Sequence, residues 1–307
     1  MTVASAVPLA ELPPERLSQW LATGRLGLHT GPFTFRIQAH EPVIADNLRQ
    51  LYGAHRVTDS PTFSDFHVSV ARPGSLRRWF APQVEFRLDG YAPFYSLPAP
   101  QAFAMLEWGM NWCIASSSHR YLMLHSAVLA RDGRAVLLPG TPGAGKSTLC
   151  ASMALSGWRL LSDELALIDP RSGQVFGLAR PINLKNASID IIRDRYPSAR
   201  MNAAVPDTKK GTVAHLAPPP EAVAMAHEPA RIHWILTPRY DPDTHCAAAE
   251  LPPQQAMGEL IQNAFNYEVL GATGFRTAAA IVEQARAHSL RYRSLDAAHA
   301  WIDEHLT

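Results

Sequence analysis

Gly140-Thr141-Pro142-Gly143-Ala144-Gly145-Lys146-Ser147-Thr148 fits the pattern G-x-x-x-x-G-K-[ST] without a gap. Each residue type has a physical task in that pattern. Glycines let backbone N–H groups turn inward around phosphate oxygens, the lysine reaches the outer phosphates, and the hydroxyl after it can ligate Mg²⁺. The flanks agree with the motif. Ala135-Val136-Leu137-Leu138 reads as a buried strand entering the loop. Ser147 to Ser156 reads as a helix with Leu149, Met153 and Leu155 apolar, and Gly157 is a natural stop. Strand, loop and helix in this order predict an α/β fold and a nucleotide-phosphate site over all nine residues 140–148.

Composition narrows the class. The chain has 307 residues, enough for one large or two ordinary domains. Lys+Arg 28 against Asp+Glu 27 leaves a net charge of +1, so no global field points to nucleic acid or an anionic membrane. Cys113, Cys150 and Cys246 are far apart and lack a CxxC, so they are expected as buried small hydrophobes in a reducing compartment. No basic n-region opens the chain and no run of 18 apolar residues occurs, which predicts a cytoplasmic protein without membrane insertion.

Two regions differ in pattern. Phe33, Phe35 and Ile37, then Phe66, Val68 and Val70, then Val84, Phe86 and Leu88 alternate with polar residues, as half-buried antiparallel strands do. With a helix over Glu41 to Tyr52 they predict a small α+β domain within residues 1–98, and Pro98-Ala99-Pro100 marks its end. Residues 99–307 form the loop-bearing domain. Gln101 to Ser116 is an apolar helix, expected between the domains or in the second core. Helices are also expected over Ile189 to Tyr196, Gln254 to Leu270, Arg276 to His288 and Asp296 to His305, with a strand over Ile232 to Thr237.

Chemistry gathers near the loop. Asp132-Gly133 is a strong hairpin signal, and with the turn there, paired residue numbers sum to 265. His125 then lies opposite Gly140. Beside carboxylates its imidazolium form is expected. Trp158 to Leu161 reads as the next strand, ending in Ser162-Asp163-Glu164. A crossover of this length is expected to return it beside the strand that enters the loop, with Asp163 and the loop on one sheet edge. A carboxylate there can hold Mg²⁺ or take a proton from a hydroxyl. Lys185, Lys210 and Arg239 are further cations in segments able to fold toward the phosphates, and Asn263 and Asn266 share a helical face, where a structural amide network is at least as good a reading as substrate contact.

The order His125, phosphate loop, then Trp158-Arg159-Leu160-Leu161-Ser162-Asp163-Glu164 resembles the C-terminal catalytic domain of HPr kinase/phosphorylase. The His–Lys separation of 21 and the Lys–Asp separation of 17 are similar to that family's. More narrowly, the chain resembles HprK-related kinase A, through Arg180-Pro181-Ile182-Asn183-Leu184-Lys185-Asn186-Ala187-Ser188 and Asn263-Ala264-Phe265-Asn266-Tyr267. The broad resemblance covers about residues 120–240 and the narrow one nearly the whole chain. It implies a P-loop serine kinase using ATP and Mg²⁺ on a peptide or small protein, with a peptide-chaperone-like neighbour as a partner. By position Asp163 matches the general base and His125 the family's histidine, while Glu164 stands where a second aspartate lies near the metal, which Ser147 also approaches. The parent family assembles as hexamers, so a homo-oligomer is implied.

Two departures limit the resemblance. Gly177-Leu178-Ala179-Arg180-Pro181 lacks the family's metal-binding glutamate, and only Lys209-Lys210-Gly211 echoes its basic loop. Phosphorylase activity and the HPr substrate are therefore not carried over. A nucleotide-sensing module without efficient transfer is the alternative reading. A hydrolysing motor or switch is weaker, since no Asn-Lys-x-Asp guanine reader is present.

Overall fold

Alternating burial builds the first sheet. Phe33, Phe35 and Ile37 lie on a core while Thr34, Arg36 and Gln38 between them do not, so β3 (Phe33–Ala39) has one dry face. Its companions are β1 (Val7–Pro8), β2 (Leu26–Thr30), β4 (Arg56–Asp59), β5 (Phe66–Ala71), β6 (Gln83–Leu88) and β7 (Leu97–Pro98), in the order β1-β4-β2-β3-β5-β6-β7. Helices α1 (Pro14–Ala22) and α2 (Pro42–Leu51) belong with this sheet. The computed structural model describes residues 6–74, 82–141 and 143–306.

One pairing departs from the antiparallel expectation. β3 and β5 run parallel, with Phe35 opposite Phe66, because α2 and β4 intervene and supply the long connection a parallel pair needs. Helix α1 carries a signal the alternation reading passes over. Leu17, Trp20 and Leu21 stand at helical spacing behind Pro13-Pro14, and all three are buried.

The apolar helix α3 (Ala102–Ser117) follows. It packs on β5 and β6, and its residues share one apolar cluster with Tyr121 and with Met123, Leu165 and Leu167 from the strands described next. The helix thus lies between two sheets. Gly109 permits this approach, since a Cβ there would sit 2.3 Å from the Phe86 ring.

A second sheet carries the loop. β8 (Leu122–Arg131) and β9 (Arg134–Pro139) form a hairpin in which Ser126 pairs with Pro139 and Arg131 with Arg134, the register read from the turn. Asp132 and Gly133 both have positive φ (51° and 75°), as a type I′ turn requires. After the loop come α4 (Lys146–Leu155), β10 (Arg159–Ser162), β11 (Leu165–Ile168) and β12 (Gln174–Phe176).

The crossover lands one strand away from where it is expected. β10 pairs with β8 rather than β9, so β8 lies between the strand entering the loop and the strand ending at Asp163. The hairpin β8–β9 already occupies that edge of β9. β10 and β9 still point the same way, both antiparallel to β8, so their carboxyl ends share one sheet edge.

β11 continues along β8 beyond a break at Asp163-Glu164, with Leu165 opposite His125. The chain then forms a small sheet of β13 (Ile182–Lys185), β14 (Val205–Thr208) and β15 (Gly211–Leu216), with α5 (Ala187–Arg195) between the first two. α6 (Pro220–Ala224) leads into β16 (Ala230–Tyr240), which runs parallel to β9. β17 (Cys246–Glu250), α7 (Pro253–Gln262), α8 (Tyr267–Leu270), α9 (Ala272–Gln284), β18 (Arg286–Tyr292) and α10 (Leu295–His305) complete the fold.

Two helical expectations are corrected here. Gln254 to Leu270 is broken at Asn263–Asn266, where the backbone instead bonds to β8. His125 N–H donates to Asn263 O at 2.6 Å, and Phe265 N–H donates to Met123 O at 2.9 Å. Asn266 is buried, accepting from Met123 N–H (3.0 Å) and donating to Tyr121 O (2.8 Å). It completes β8 beyond the end of β9, as a structural amide. The second correction is Arg286 to His288, which is strand and not helix, parallel to β16.

The three cysteines are free thiols. Cys113 and Cys150 are buried as expected, whereas Cys246 on β17 is only half-buried. Among the described residues no helix is long and apolar enough to cross a membrane.

Candidate functional site

Three positive-φ glycines shape the loop: Gly140 (139°), Gly143 (89°) and Gly145 (91°). A side chain at Gly145 would be strained on that count and crowded as well, its Cβ 3.1 Å from the Tyr292 hydroxyl. Two neighbours brace the turn. Tyr240 N–H donates to Ala144 O (3.1 Å), and Leu149 N–H starts α4 on Gly145 O (3.0 Å). Lys146 is buried at the first turn, and its ammonium donates to Gly140 O and Thr141 O. Burial lowers its pKa, with Asp163 opposing. Pro142 lies outside the described residues.

Asp163 faces the loop. Its Oδ2 accepts from Ser147 Oγ (3.3 Å) and from Asn183 N–H (3.1 Å), while Oδ1 is out of solvent and has no partner. Burial pushes the carboxyl pKa up to about 6, the charge of Glu164 adds to the rise, and the two hydrogen bonds hold it back. At neutral pH the group is ionised and more basic than an ordinary carboxylate.

His125 joins this cleft with its ring edge-on to Phe265, centroids 6.0 Å apart. The expected imidazolium is corrected. Burial first, and Lys146 next, lower its pKa below the ordinary histidine value, which leaves a neutral ring at pH 7. Glu164 opposes this without prevailing.

The cleft, about 670 Å³, is lined by His125, Gly143, Gly145 to Thr148, Asp163, Glu164, Asn183, Lys185 and Lys210. β13 brings Asn183 and Lys185, and the β14–β15 turn brings Lys210, whose ammonium lies 5.0 Å from the Trp108 ring centroid. Arg239 is not gathered. It is exposed near the end of β16, apart from this lining.

Behind the cleft a polar chain, buried at Arg180, Glu107 and Tyr52, ties Glu164 to α3 and to the end of α2. Glu164 Oε2 accepts from Asn111 Nδ2 (2.7 Å), and Asn111 Oδ1 accepts from Arg180 (2.6 Å). Arg180 also donates to Glu107 Oε2 (2.7 Å), to Glu107 O (3.1 Å) and to the Tyr52 hydroxyl (3.2 Å). Tyr52 in turn donates to Glu107 Oε1 at 2.6 Å. Burial works against the guanidinium charge, but Tyr52 and Glu107 outweigh it and hold Arg180 more firmly protonated than usual. Arg180 therefore points away from the loop. Sequence reasoning missed Glu107 and Asn111, although the signal was present. They are polar residues one helical turn apart on a helix apolar nearly all round, and buried polar groups need partners.

A mixed α/β chain with a glycine-rich loop at the head of a buried helix, a facing carboxylate and flanking cations is the class that fold and site define. A family model described as "SynChlorMet cassette protein ScmC" matches residues 103–191. That stretch runs from α3 into α5, so it includes His125, the loop, Asp163, Glu164, Arg180 and Lys185 but not the first sheet or Lys210. The similarity spans less than a third of the chain. No curated protein matches the sequence.

Proposed function

We propose that this chain is a P-loop kinase similar to HPr kinase, transferring the γ-phosphoryl group of ATP to a serine or other hydroxyl of a peptide or small protein. The observation that carries the reading is Asp163. A carboxylate with one unpartnered oxygen stands against Ser147 at the mouth of a loop whose lysine is already seated.

Ser147, Asp163 and Glu164 would hold Mg²⁺: all three line the cleft, the Ser147 hydroxyl bonds to Asp163 Oδ2, and Asp163 Oδ1 has no partner. One or two carboxylates, with substrate phosphates, are the usual protein share in holding this ion. Bound Mg²⁺ would neutralise charge on the phosphates. The loop N–H groups and Lys146 hold the phosphate chain, and Asp163 takes the proton of the attacking hydroxyl. His125, being neutral, offers a ring nitrogen as a hydrogen-bonding group rather than a further cation. Lys185 and Lys210 line the same cleft and supply positive charge toward the transferring group, and such charge acts mainly on the transition state.

The second reading, a nucleotide-sensing module, is favoured by Arg180. The segment Gly177–Pro181 gives the cleft no acid, and its arginine is committed to Glu107 and Tyr52. Labelled-ATP transfer separates the two. ATP carrying a γ-phosphate label is offered with the small proteins encoded beside the gene, and products are read by phosphopeptide mass spectrometry. A kinase puts label on a hydroxyl residue of one of them. Lys146→Ala is expected to lower that transfer by at least about a hundredfold and to weaken ATP binding, since it removes a cation from the transferring phosphates. Tight ATP binding with no labelled product from any acceptor would favour the sensor.

A further inference from the structure

We infer that a second cleft, on the other side of the loop, seats the nucleoside half of the nucleotide. The inference rests on reading residues 140–148 as a nucleotide-phosphate loop, and it adds where the uncharged part of the ligand goes. This cleft of about 760 Å³ shares Gly143, Gly145, Thr148 and Ser188 with the cleft of Asp163. Ile191 of α5, Tyr240 and Tyr292 line it, with Asp194 and Arg293 at its polar edge and Arg195 and Asp296 paired with each other there.

Topology puts it where a ligand is expected. β9, β16 and β18 run parallel, and the loop, Tyr240 and Tyr292 stand at their carboxyl ends, with Tyr240 opposite Tyr292 in register. Ligands of open α/β sheets settle beyond those ends. Charge then orients the nucleotide. Lys146, Lys185, Lys210, Asp163 and Glu164 all belong to the first cleft, which suits the phosphate end and the metal. The second offers aromatic and aliphatic side chains that nothing yet covers: Tyr240 is 55% exposed and Ile191 46%. A planar base gains by stacking on an aromatic ring, and that gain tolerates different bases. Asp194 and Arg293 make no side-chain hydrogen bond among the described residues, which leaves both able to meet sugar hydroxyls. The acceptor, by the same polarity, enters from the side of Lys185 and Lys210.

Equilibrium binding of Mg-ATP and of Mg-tripolyphosphate tests the assignment, because tripolyphosphate keeps the phosphates and lacks the nucleoside. Tyr240→Ala and Ile191→Asn alter exposed positions without adding charge beside the phosphates, so both variants should fold, which a thermal melt checks. Each is expected to weaken ATP binding about tenfold or more, as loss of a stacking wall does, and to leave tripolyphosphate affinity unchanged. If both variants bind ATP as the wild type does, or lose ATP and tripolyphosphate equally, the nucleoside lies elsewhere and the inference is overturned. If the wild-type protein binds neither probe, the phosphate-loop reading fails first and the inference falls with it.

Discussion

Asp163→Asn is expected to reduce phosphoryl transfer by about two to four orders of magnitude, the usual worth of a positioned general base, while ATP stays bound. The amide keeps the shape of the carboxyl group and can still accept from Ser147 or from Asn183 N–H, but it cannot take a proton. Transfer at the wild-type rate would end the assignment of Asp163 as base. Stability supplies a control with the opposite sign. In the metal-free protein the Asp163 pKa is raised from 3.8 to about 6. Between those values the folded state holds a proton that the unfolded state has released. The stability this contributes is complete below about pH 4 and is lost as pH rises through about 6. The asparagine variant has no such loss. In chelator it should therefore be more stable than the wild type by about 2–3 kcal/mol at pH 7–8, the gap closing toward pH 4. Urea unfolding at the two pH values measures this. A variant that is inactive and yet more stable at pH 8 has lost chemistry and not its fold.

Arg180→Ala should be the most destabilising single change near the site, costing about 3–5 kcal/mol, because it leaves Glu107 charged, buried and without its cationic partner. The arginine is 6% exposed and the glutamate 5%, so solvent cannot take the lost partner's place. Replacing both, as Arg180→Met with Glu107→Leu, should recover most of the loss, since a buried ion pair is often no better than a packed apolar pair of similar volume. The midpoint of denaturant unfolding reports both effects. A single variant as stable as the wild type would mean the pair is hydrated in solution. The double variant carries a second readout. Asn111 loses its arginine, and Glu164 is then held less firmly, so the Mg²⁺ requirement of nucleotide binding should rise even where stability returns.

How much was legible beforehand depended on whether an element's cause was local. The hairpin register came from Asp132-Gly133, because two positive-φ residues in succession define the turn and the turn sets every pair after it. That register put His125 beside the mouth of the loop before any tertiary contact was known. The β18 strand was hidden for the opposite reason. Arg286–Tyr292 has little strand propensity of its own, and it is a strand because β16 and β17 flank it. The break in the helix at Asn263 has the same origin, since β8 needed partners beyond the end of β9 and the backbone there supplied them. His125's charge was misjudged because its carboxylate neighbours are visible from strand order, whereas the depth of its burial is not.

The loop from Gly140 to Thr148 was determined by sequence alone, because its glycines, lysine and hydroxyl act through backbone geometry within one short segment. The same holds for Asp163, set one helix further along at the end of a strand. Tertiary structure decided what surrounds them. It alone brought Lys185 and Lys210 into the cleft and left Arg239 out. It also turned Arg180 toward Tyr52 and Glu107, and set Tyr240 beside Tyr292. Those outcomes depend on which strands pair and which charges are buried together, and no local pattern encodes either.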